Sequence, residues 1–393
     1  MSATRLSGPP ATPLGREIAR LIALEGPMPV ERYMELCLGH PTMGYYITRN
    51  PFGADGDFIT APDISQIFGE LIGLWCAEVW RMMGGPRDLH LVELGPGRGA
   101  LIADALRAAR VAPQFRSAVR LSLVETSPVL RQLQRQALSA EGELSSIPVA
   151  WRNHLGEVPE GPMILIANEF FDALPVRQYQ RAPDGWRERL VGLAPDGGLI
   201  FGLAPEAEPA LDELPGDEGA IMEIPVAAIN MVAGLADRLR RFGGAALIID
   251  YGHAVSAVGD TLQAVRRHQY VHPLSTPGEA DITAHVDFGA LARAALARGV
   301  VVDGPVEQGA FLRALGANAR AEQLKRNARE AQRRVIDEGL RRLTSSEAGG
   351  MGALFKVMAV AASQLGPLPG LAPRREAPHM PQPSIVRALR RPS

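Results

Sequence analysis

Leu89-His90-Leu91-Val92-Glu93-Leu94-Gly95-Pro96-Gly97-Arg98-Gly99-Ala100 passes from an apolar run through three alternating glycines into Leu101-Ile102-Ala103-Asp104-Ala105-Leu106-Arg107. The order predicts a strand, a tight turn and a helix. Glycine lets a backbone turn sharply and approach a ligand with no side chain in the way, and the helix that follows opens on unpaired N–H groups. The turn is therefore a candidate nucleotide cradle. Gly95, Gly97 and Ala100 also satisfy the dinucleotide fingerprint with its permitted final Ala, which keeps a dinucleotide-dependent oxidoreductase in view. Two acids point elsewhere. Glu93 sits two residues before Gly95, where a carboxylate suits a cationic ligand and repels a pyrophosphate. Glu125 closes the next apolar run, Leu121-Ser122-Leu123-Val124, where an acid on the adjacent strand can accept from two ribose hydroxyls. S-adenosylmethionine, with its α-amino group, sulfonium and ribose, meets both demands.

At 393 residues the chain holds two average domains or one large α/β domain with insertions. A net charge of -2 gives no electrostatic case for nucleic acid or an anionic membrane as the main partner. Cys37 and Cys76 cannot build a disulfide framework or a zinc site unaided, and they fit a reducing compartment. No apolar run approaches the ~20 residues that span a bilayer, so no membrane insertion is expected. Met1 to Gly15 lacks the apolar centre of a secretion signal. A bacterial cytoplasm is the expected location, or the mitochondrial matrix if the source is eukaryotic.

Strands are expected at 89–94, 121–125, 147–151, 163–168 and 244–250, with helices at 100–109, 128–140 and 226–241. Such alternation implies an α/β fold in which a mostly parallel sheet carries helices on both faces and ligands sit at the carboxyl ends of the strands. Leu14–Leu24 and Val30–Leu38 predict N-terminal helices, broken at Pro27-Met28-Pro29. Thr60, Pro62 and Asp63 read as the capped start of a long helix, Ile64–Met83. The Gly- and Pro-rich loop from Phe52 to Asp63 can fold over the pocket as a lid. Residues 1–84 thus form N-terminal helices and lid, and 85–361 the core, interrupted at 173–224, 251–285 and 310–343. The first interruption predicts antiparallel strands outside the main sheet, and the last a charged, solvated helical face. An apolar strand at 352–360 is expected to run antiparallel to one at 299–303. Residues 362–393, rich in Pro and Arg, are expected to stay unfolded.

Six motifs recur in one order: Gly44-Tyr45-Tyr46, Gly56-Asp57-Phe58-Ile59-Thr60-Ala61-Pro62-Asp63-Ile64-Ser65-Gln66, Glu93 to Gly99, Asn168-Glu169-Phe170-Phe171-Asp172-Ala173-Leu174-Pro175-Val176-Arg177, Ile249-Asp250-Tyr251-Gly252 and Thr283-Ala284-His285-Val286-Asp287-Phe288. Together they closely resemble the MidA-like methyltransferases, a family related to the mitochondrial complex I assembly factor that methylates a protein arginine. The resemblance runs from about Gly39 to Val360. It implies a Rossmann-like methyltransferase fold with a seven-stranded sheet, S-adenosylmethionine as cofactor, and dimethylation of an arginine on a subunit of respiratory NADH dehydrogenase, in aid of its assembly. It also implies that Thr60, Gln66 and Asn168 join Glu93, Gly95, Gly97, Gly99 and Glu125 around the cofactor. A non-catalytic assembly chaperone that keeps the fold to grip a partner is the alternative from another class.

Methyl transfer from a sulfonium is an in-line displacement, so the protein must hold a nucleophilic lone pair ~3–3.5 Å from the methyl carbon and keep water out. A guanidinium stays protonated and its lone pairs are delocalised; carboxylates that grip it can orient the ion and leave one nitrogen better able to attack. Glu169 and Asp172, at the end of the fourth expected strand, are the candidate pair, and Phe170 and Phe171 can wall the slot and stack on a planar cation. Asp250 ends the fifth strand on the ligand side and is expected to bind substrate. His285 is the candidate proton relay. His253, His268 and His272 share a polar cluster with His285, Asp281 and Asp287, but their spacing matches no compact ligand motif, so no metal is expected.

Overall fold

Every residue of the strand Leu89–Leu94 (β1) except His90 is buried, with Leu91 in an apolar cluster on one face and Val92 and Leu94 in another on the opposite face. A strand dry on both faces belongs in the middle of a sheet. The computed structural model describes residues 8–48, 60–140, 147–347 and 349–376, and it places β1 between Val119–Val124 (β2) and Met163–Asn168 (β4), parallel to both. Val149–Arg152 (β3) extends the parallel array beyond β2, and Gly244–His253 (β5) extends it beyond β4. Val286–Asp287 (β6) pairs with the end of β5. Val301–Glu307 (β7), Phe355–Ala361 (β8) and Arg374–Arg375 (β9) complete an order of β9-β7-β8-β5-β4-β1-β2-β3, with β8 antiparallel to β5 and β7. The expected α/β sheet is present, with seven long strands; β6 and β9 are two-residue additions to it.

Pro13–Glu25 (α1) and Val30–Gly39 (α2) lie away from this sheet, while Gln66–Met82 (α3) and Ala100–Ala108 (α4) cover one of its faces. A Cβ at Gly73 would stand 2.2 Å from the Ala105 carbonyl oxygen, so the α3–α4 approach requires glycine there. Pro128–Ala140 (α5) packs beside α4, and Val226–Phe242 (α6) and Phe288–Leu296 (α7) cover the second face. The long helix expected over Ile64–Met83 is present as Gln66–Met82, starting two residues later than expected. A short turn, Ala61–Ile64, stops at extended Ser65, whose hydroxyl, not that of Thr60, caps α3 through the Ile67 N–H.

The first interruption forms a separate antiparallel sheet from Arg177–Ala182, Gly185–Leu193, Leu199–Ala207 and Ile221–Ile224, as expected. Pro27-Met28-Pro29 is more than a break: Met28 pairs with Val191 and stitches α1 and α2 to that sheet. The second interruption supplies a three-stranded sheet, Gln263–Arg266, Gln269–Val271 and Asp281–Thr283. The third is less solvated than expected. Gln308–Ala314 (α8), Ala317–Lys325 (α9) and Glu330–Thr344 (α10) bury Phe311, Leu312, Ala321 and Leu343 in the α3–α4 cluster, and Arg320 pairs with buried Glu70 at 2.7 Å.

The expectation of an unfolded tail fails up to Glu376. Leu365, Leu368 and Leu371 are buried in the same cluster. Asp303, 0% exposed, accepts from the Leu368 N–H at 3.1 Å and from Arg374 at 2.8 and 2.6 Å. A Pro- and Arg-rich composition hid three leucines spaced to pack and one arginine with a buried acid waiting for it. Residues 377–393 lie outside the described residues. Arg374→Ala would strand the Asp303 charge and should destabilise the protein by about 3–5 kcal/mol, whereas Asp303→Asn with Arg374→Met should recover most of that loss. Urea denaturation of the two variants checks both.

Candidate functional site

The carboxyl ends of β1, β2, β4 and β5 open on a cavity of about 580 Å³, a size that suits a small-molecule ligand together with a side chain. Gly95, Gly97, Glu125, Thr126, Asn153 and His154 line one part of it. Glu169, Phe170, Asp172, Tyr46, Tyr251 and His285 line another. A second, much smaller space of about 30 Å³ adjoins the glycine turn and is lined by Thr60, Asp63, Glu93, Gly95, Gly97, Arg98, Asn168 and Glu169 among others.

The glycine turn behaves as its sequence requires. Gly95, Gly97 and Gly99 have φ of +56°, +51° and +85°, the left-handed region that side chains resist. A Cβ on Gly95 would also meet the Phe170 ring at 2.9 Å. Gly99 borders neither cavity; it lies against Gln134 and Ala137 of α5, where a Cβ would meet Gln134 Cα at 3.3 Å.

Glu93 shares a strand face with Leu91 and is 3% exposed, and its Oε2 has no hydrogen-bond partner among the described residues. Burial alone raises its carboxyl to about 8. An orphaned buried acid beside a glycine turn is what an ammonium group would satisfy. Glu125 is better supplied, accepting from the Ser127 N–H at 2.8 Å and the Gln134 amide at 3.3 Å, while Gln134 also donates to the Gly97 carbonyl at 2.8 Å. That lattice fixes Glu125 at the rim of the cavity, and burial raises its pKa. The donor and acceptor set therefore fits S-adenosylmethionine: a cation at Glu93, a diol at Glu125 and close backbone between them.

Other expected cofactor residues divide. Thr60 is buried at the small cavity and donates to Asp63 at 3.1 Å, and Asp63 forms an ion pair with Arg98 of the glycine turn. Asn168 lies between the acids, donating to Glu169 at 3.2 Å with its own Oδ1 unsatisfied. Gln66 does not fit the expectation: it is exposed on α3, donates to Glu70 at 3.1 Å and borders neither cavity. The Gly56–Ile59 part of its motif, and with it the expected lid from Phe52 to Ile59, lies outside the described residues.

The Glu169 to Asp172 turn brings two acids to one cavity wall. Glu169 has φ of +51°, a strained conformation for a residue with a Cβ, and accepts from the Ala61 N–H and the Asn168 amide at 3.2 Å each. Its pKa is raised to about 7, chiefly by burial and further by Asp172. Asp172 is raised to about 6 by burial, against the opposing pull of the Tyr251 hydroxyl, and its Oδ1 has no partner among the described residues. Phe170 borders the cavity. Phe171 does not: it is 3% exposed in the α6–α7 core, edge-on to Phe170. Asp250 also departs from its expected place as a substrate ligand. It is 0% exposed, lines neither cavity, and accepts only from backbone: Phe170, Phe171 and Asp172 N–H at 3.1, 2.9 and 3.2 Å on one oxygen and Tyr251 N–H at 2.9 Å on the other.

His285 lines the cavity edge-on to the Tyr251 ring, and burial lowers its pKa, so its imidazole is neutral at physiological pH. Asp287 caps the helix that follows, accepting from the Ala290 N–H at 2.9 Å. The Thr283 hydroxyl accepts from the Tyr251 hydroxyl at 2.6 Å. Sequence singles out neither Tyr46 nor Tyr251 as a site residue and places Asp281 only in the His–Asp cluster, yet all three line the cavity, and the Tyr46 hydroxyl donates to Asp281 at 2.8 Å. The repeated aromatic of Gly44-Tyr45-Tyr46 and the Tyr that follows Asp250 were the available signals.

Residues 71–306 match the profile of a family of S-adenosyl-L-methionine-dependent methyltransferases. The chain is 39% identical over 340 residues, covering 80% of it and 76% of the relative, to the Homo sapiens protein arginine methyltransferase NDUFAF7, mitochondrial. It is 38% identical over 374 residues, covering 88% and 84%, to the Drosophila melanogaster homologue of that protein. Among solved structures, a methyltransferase-type superfamily member from Burkholderia thailandensis bound to S-adenosyl-homocysteine superposes with a TM-score of 0.81 at 30% identity, covering 93% of this chain and 97% of that one.

The ligand-free acids should make stability depend on pH. Glu93 keeps its proton up to about 8 when folded but ionises near ~4.3 when unfolded, so its contribution is complete below the unfolded value and is lost as pH rises through the folded one. Glu169 and Asp172 act in the same direction up to about 7 and about 6. Chemical denaturation from pH 5 to 9 should show a falling stability whose upper segment flattens in Glu93→Gln.

Proposed function

The chain belongs to the S-adenosyl-L-methionine-dependent methyltransferase family, and from that premise we propose that it methylates an arginine of a protein substrate, a subunit of respiratory NADH dehydrogenase. The printed names of its relatives, protein arginine methyltransferases, support the acceptor class, and the motif resemblance supports the complex I subunit. The reaction takes place in the bacterial cytoplasm, or in the mitochondrial matrix of a eukaryote.

One observation carries the reading: two carboxyl groups with elevated pKa face one cavity, and one of them has a bare buried oxygen. A guanidinium entering there would satisfy Asp172 Oδ1, draw both groups to their ionised form and be held in a fixed plane. S-adenosylmethionine, when bound, supplies an electrophilic methyl group on a sulfonium. Glu93 would hold its ammonium end and Glu125 its ribose, with no side chain at Gly95 or Gly97 to obstruct it. Glu169 and Asp172 grip the guanidinium and turn one nitrogen toward the methyl carbon. Phe170, which bounds both the glycine turn and the slot, excludes water between them. His285, neutral and on the same wall, takes up the proton that the methylated guanidinium sheds as its charge redistributes.

Glu169→Gln should lower transfer to the arginine substrate at least ~100-fold while leaving S-adenosyl-homocysteine affinity at the wild-type value in calorimetry. Undiminished transfer would refute the assignment. Because the substrate arginine does not titrate, the wild-type kcat/KM should rise with pH through the values of Asp172 and Glu169, about 6 and about 7, and then level off. A radiolabelled methyl transfer assay across pH 5 to 9, with an arginine peptide and its lysine counterpart, checks the limb and the acceptor together.

A further inference from the structure

Asp250 borders neither cavity, yet it is the most completely enclosed acid near the site. Its register explains where it sits: Ile249 of β5 pairs with Asn168 of β4, so Asp250 lies directly beside the point where the chain leaves β4 for the Glu169–Asp172 turn. Three consecutive N–H groups, those of Phe170, Phe171 and Asp172, converge on its Oδ2. Such a run of inward N–H groups forms an anion-binding nest. The nest is filled by a side chain of the protein itself.

Burial, with Asp172 and Glu169 close by, pushes the Asp250 carboxyl well above the ordinary carboxylate range, and the backbone N–H groups oppose that shift. On the antiparallel neighbour, Lys356 stands opposite Asp250, but its ammonium is turned to the carbonyls of Ala353 and Leu354. All the hydrogen bonds to Asp250 come from residues 170–172 and from Tyr251. The turn is secured from its other side too: Glu169 N–H donates to the Ile249 carbonyl at 2.9 Å, and the Asp172 carbonyl accepts from Ala284 at 3.0 Å. Between those anchors Glu169 is held at φ of +51°, which costs energy and needs surroundings that over-determine it.

We infer that Asp250 is a positioning residue for the acid pair: by filling the nest of residues 170–172 it fixes the turn that aims Glu169 and Asp172 into the cavity. The inference rests on the proposed gripping role of those two acids. An asparagine would offer one acceptor oxygen and an N–H2 group that confronts the N–H donors, so the turn would re-form around a different hydrogen-bond pattern. Displacement of about 1 Å in a gripping group is enough to cost ~100-fold in rate.

The test compares wild type, Asp250→Asn and Glu169→Gln with labelled S-adenosylmethionine and the arginine peptide. Asp250→Asn should bind S-adenosyl-homocysteine as wild type does and lose at least ~100-fold in kcat. Asp250→Asn with wild-type kcat would overturn the inference. Inactivity of wild type on the peptide would instead count against the proposed acceptor. Amide hydrogen exchange on the wild-type protein decides the matter without any variant: Phe170, Phe171 and Asp172 should be as protected as β4, and exchange at the rate of an open loop would overturn the nest.

Discussion

An ionised carboxyl group in a dry crevice is unstable until something supplies hydrogen bonds or opposite charge, and five acids at one edge of this sheet are each answered differently. Asp250 is answered by backbone N–H groups, Glu125 by Ser127 and Gln134, and Glu169 by Ala61 and Asn168. Among the described residues nothing donates to Glu93 Oε2 or Asp172 Oδ1. The two unanswered oxygens belong to different cavities, one beside the glycine turn and one in the larger space. A protein that leaves two such atoms open retains them at a cost in stability, and cationic ligands at both points remove it. Cofactor ammonium and substrate guanidinium are the proposed pair.

The edge is where it is because of strand order. The order of winding reverses between β1 and β4: from β1 the connection runs outward through β2 and β3, and then returns to β4 and β5 on the other side. Helices leaving neighbouring strands in opposite directions cannot close over that gap, so a crevice opens at the carboxyl ends of the strands. The parallel array alone would leave it shallow. The inserted strands 281–283, the short helix Tyr45–Thr48 and helix α10 with the segment after it raise its far wall, contributing Asp281, Thr283, Tyr46, Arg342 and Met351.

Much of this was legible in sequence because it follows from period and punctuation. Parallel strands buried on both faces read as unbroken apolar runs, and the glycine turn with its two acids names its own ligand. The acid pair after β4 was legible from the motif. Less visible was anything that depends on which way one residue faces at the end of a strand. Asp250 ends an apolar run as Glu125 does, yet one faces the underside of a turn and the other a cavity rim; no one-dimensional pattern separates them. Phe170 and Phe171 differ in the same way. Gln66 and Gly99 belong to motifs whose neighbours line the cavities, and adjacency in sequence overstated adjacency in space. The segment up to Glu376 escaped because its partner, Asp303, lies some seventy positions upstream.

Phe170 joins the two halves of the site. Its ring lies where a Cβ on Gly95 would stand, at 2.9 Å, and the same side chain borders the larger cavity. Its backbone N–H is one of the three held by Asp250. The glycine at the cofactor end, the aromatic wall and the acid pair therefore share one rigid connection, so that a change in any of them is felt by the other two through contact and not through distance. That connection explains why the turn tolerates a left-handed glutamate: relaxing Glu169 would move Phe170 off the glycine turn and Asp172 off its wall at once. Strain at a single residue is in this way balanced against the packing of three, and the direction in which both acids point is a property of the turn as a whole.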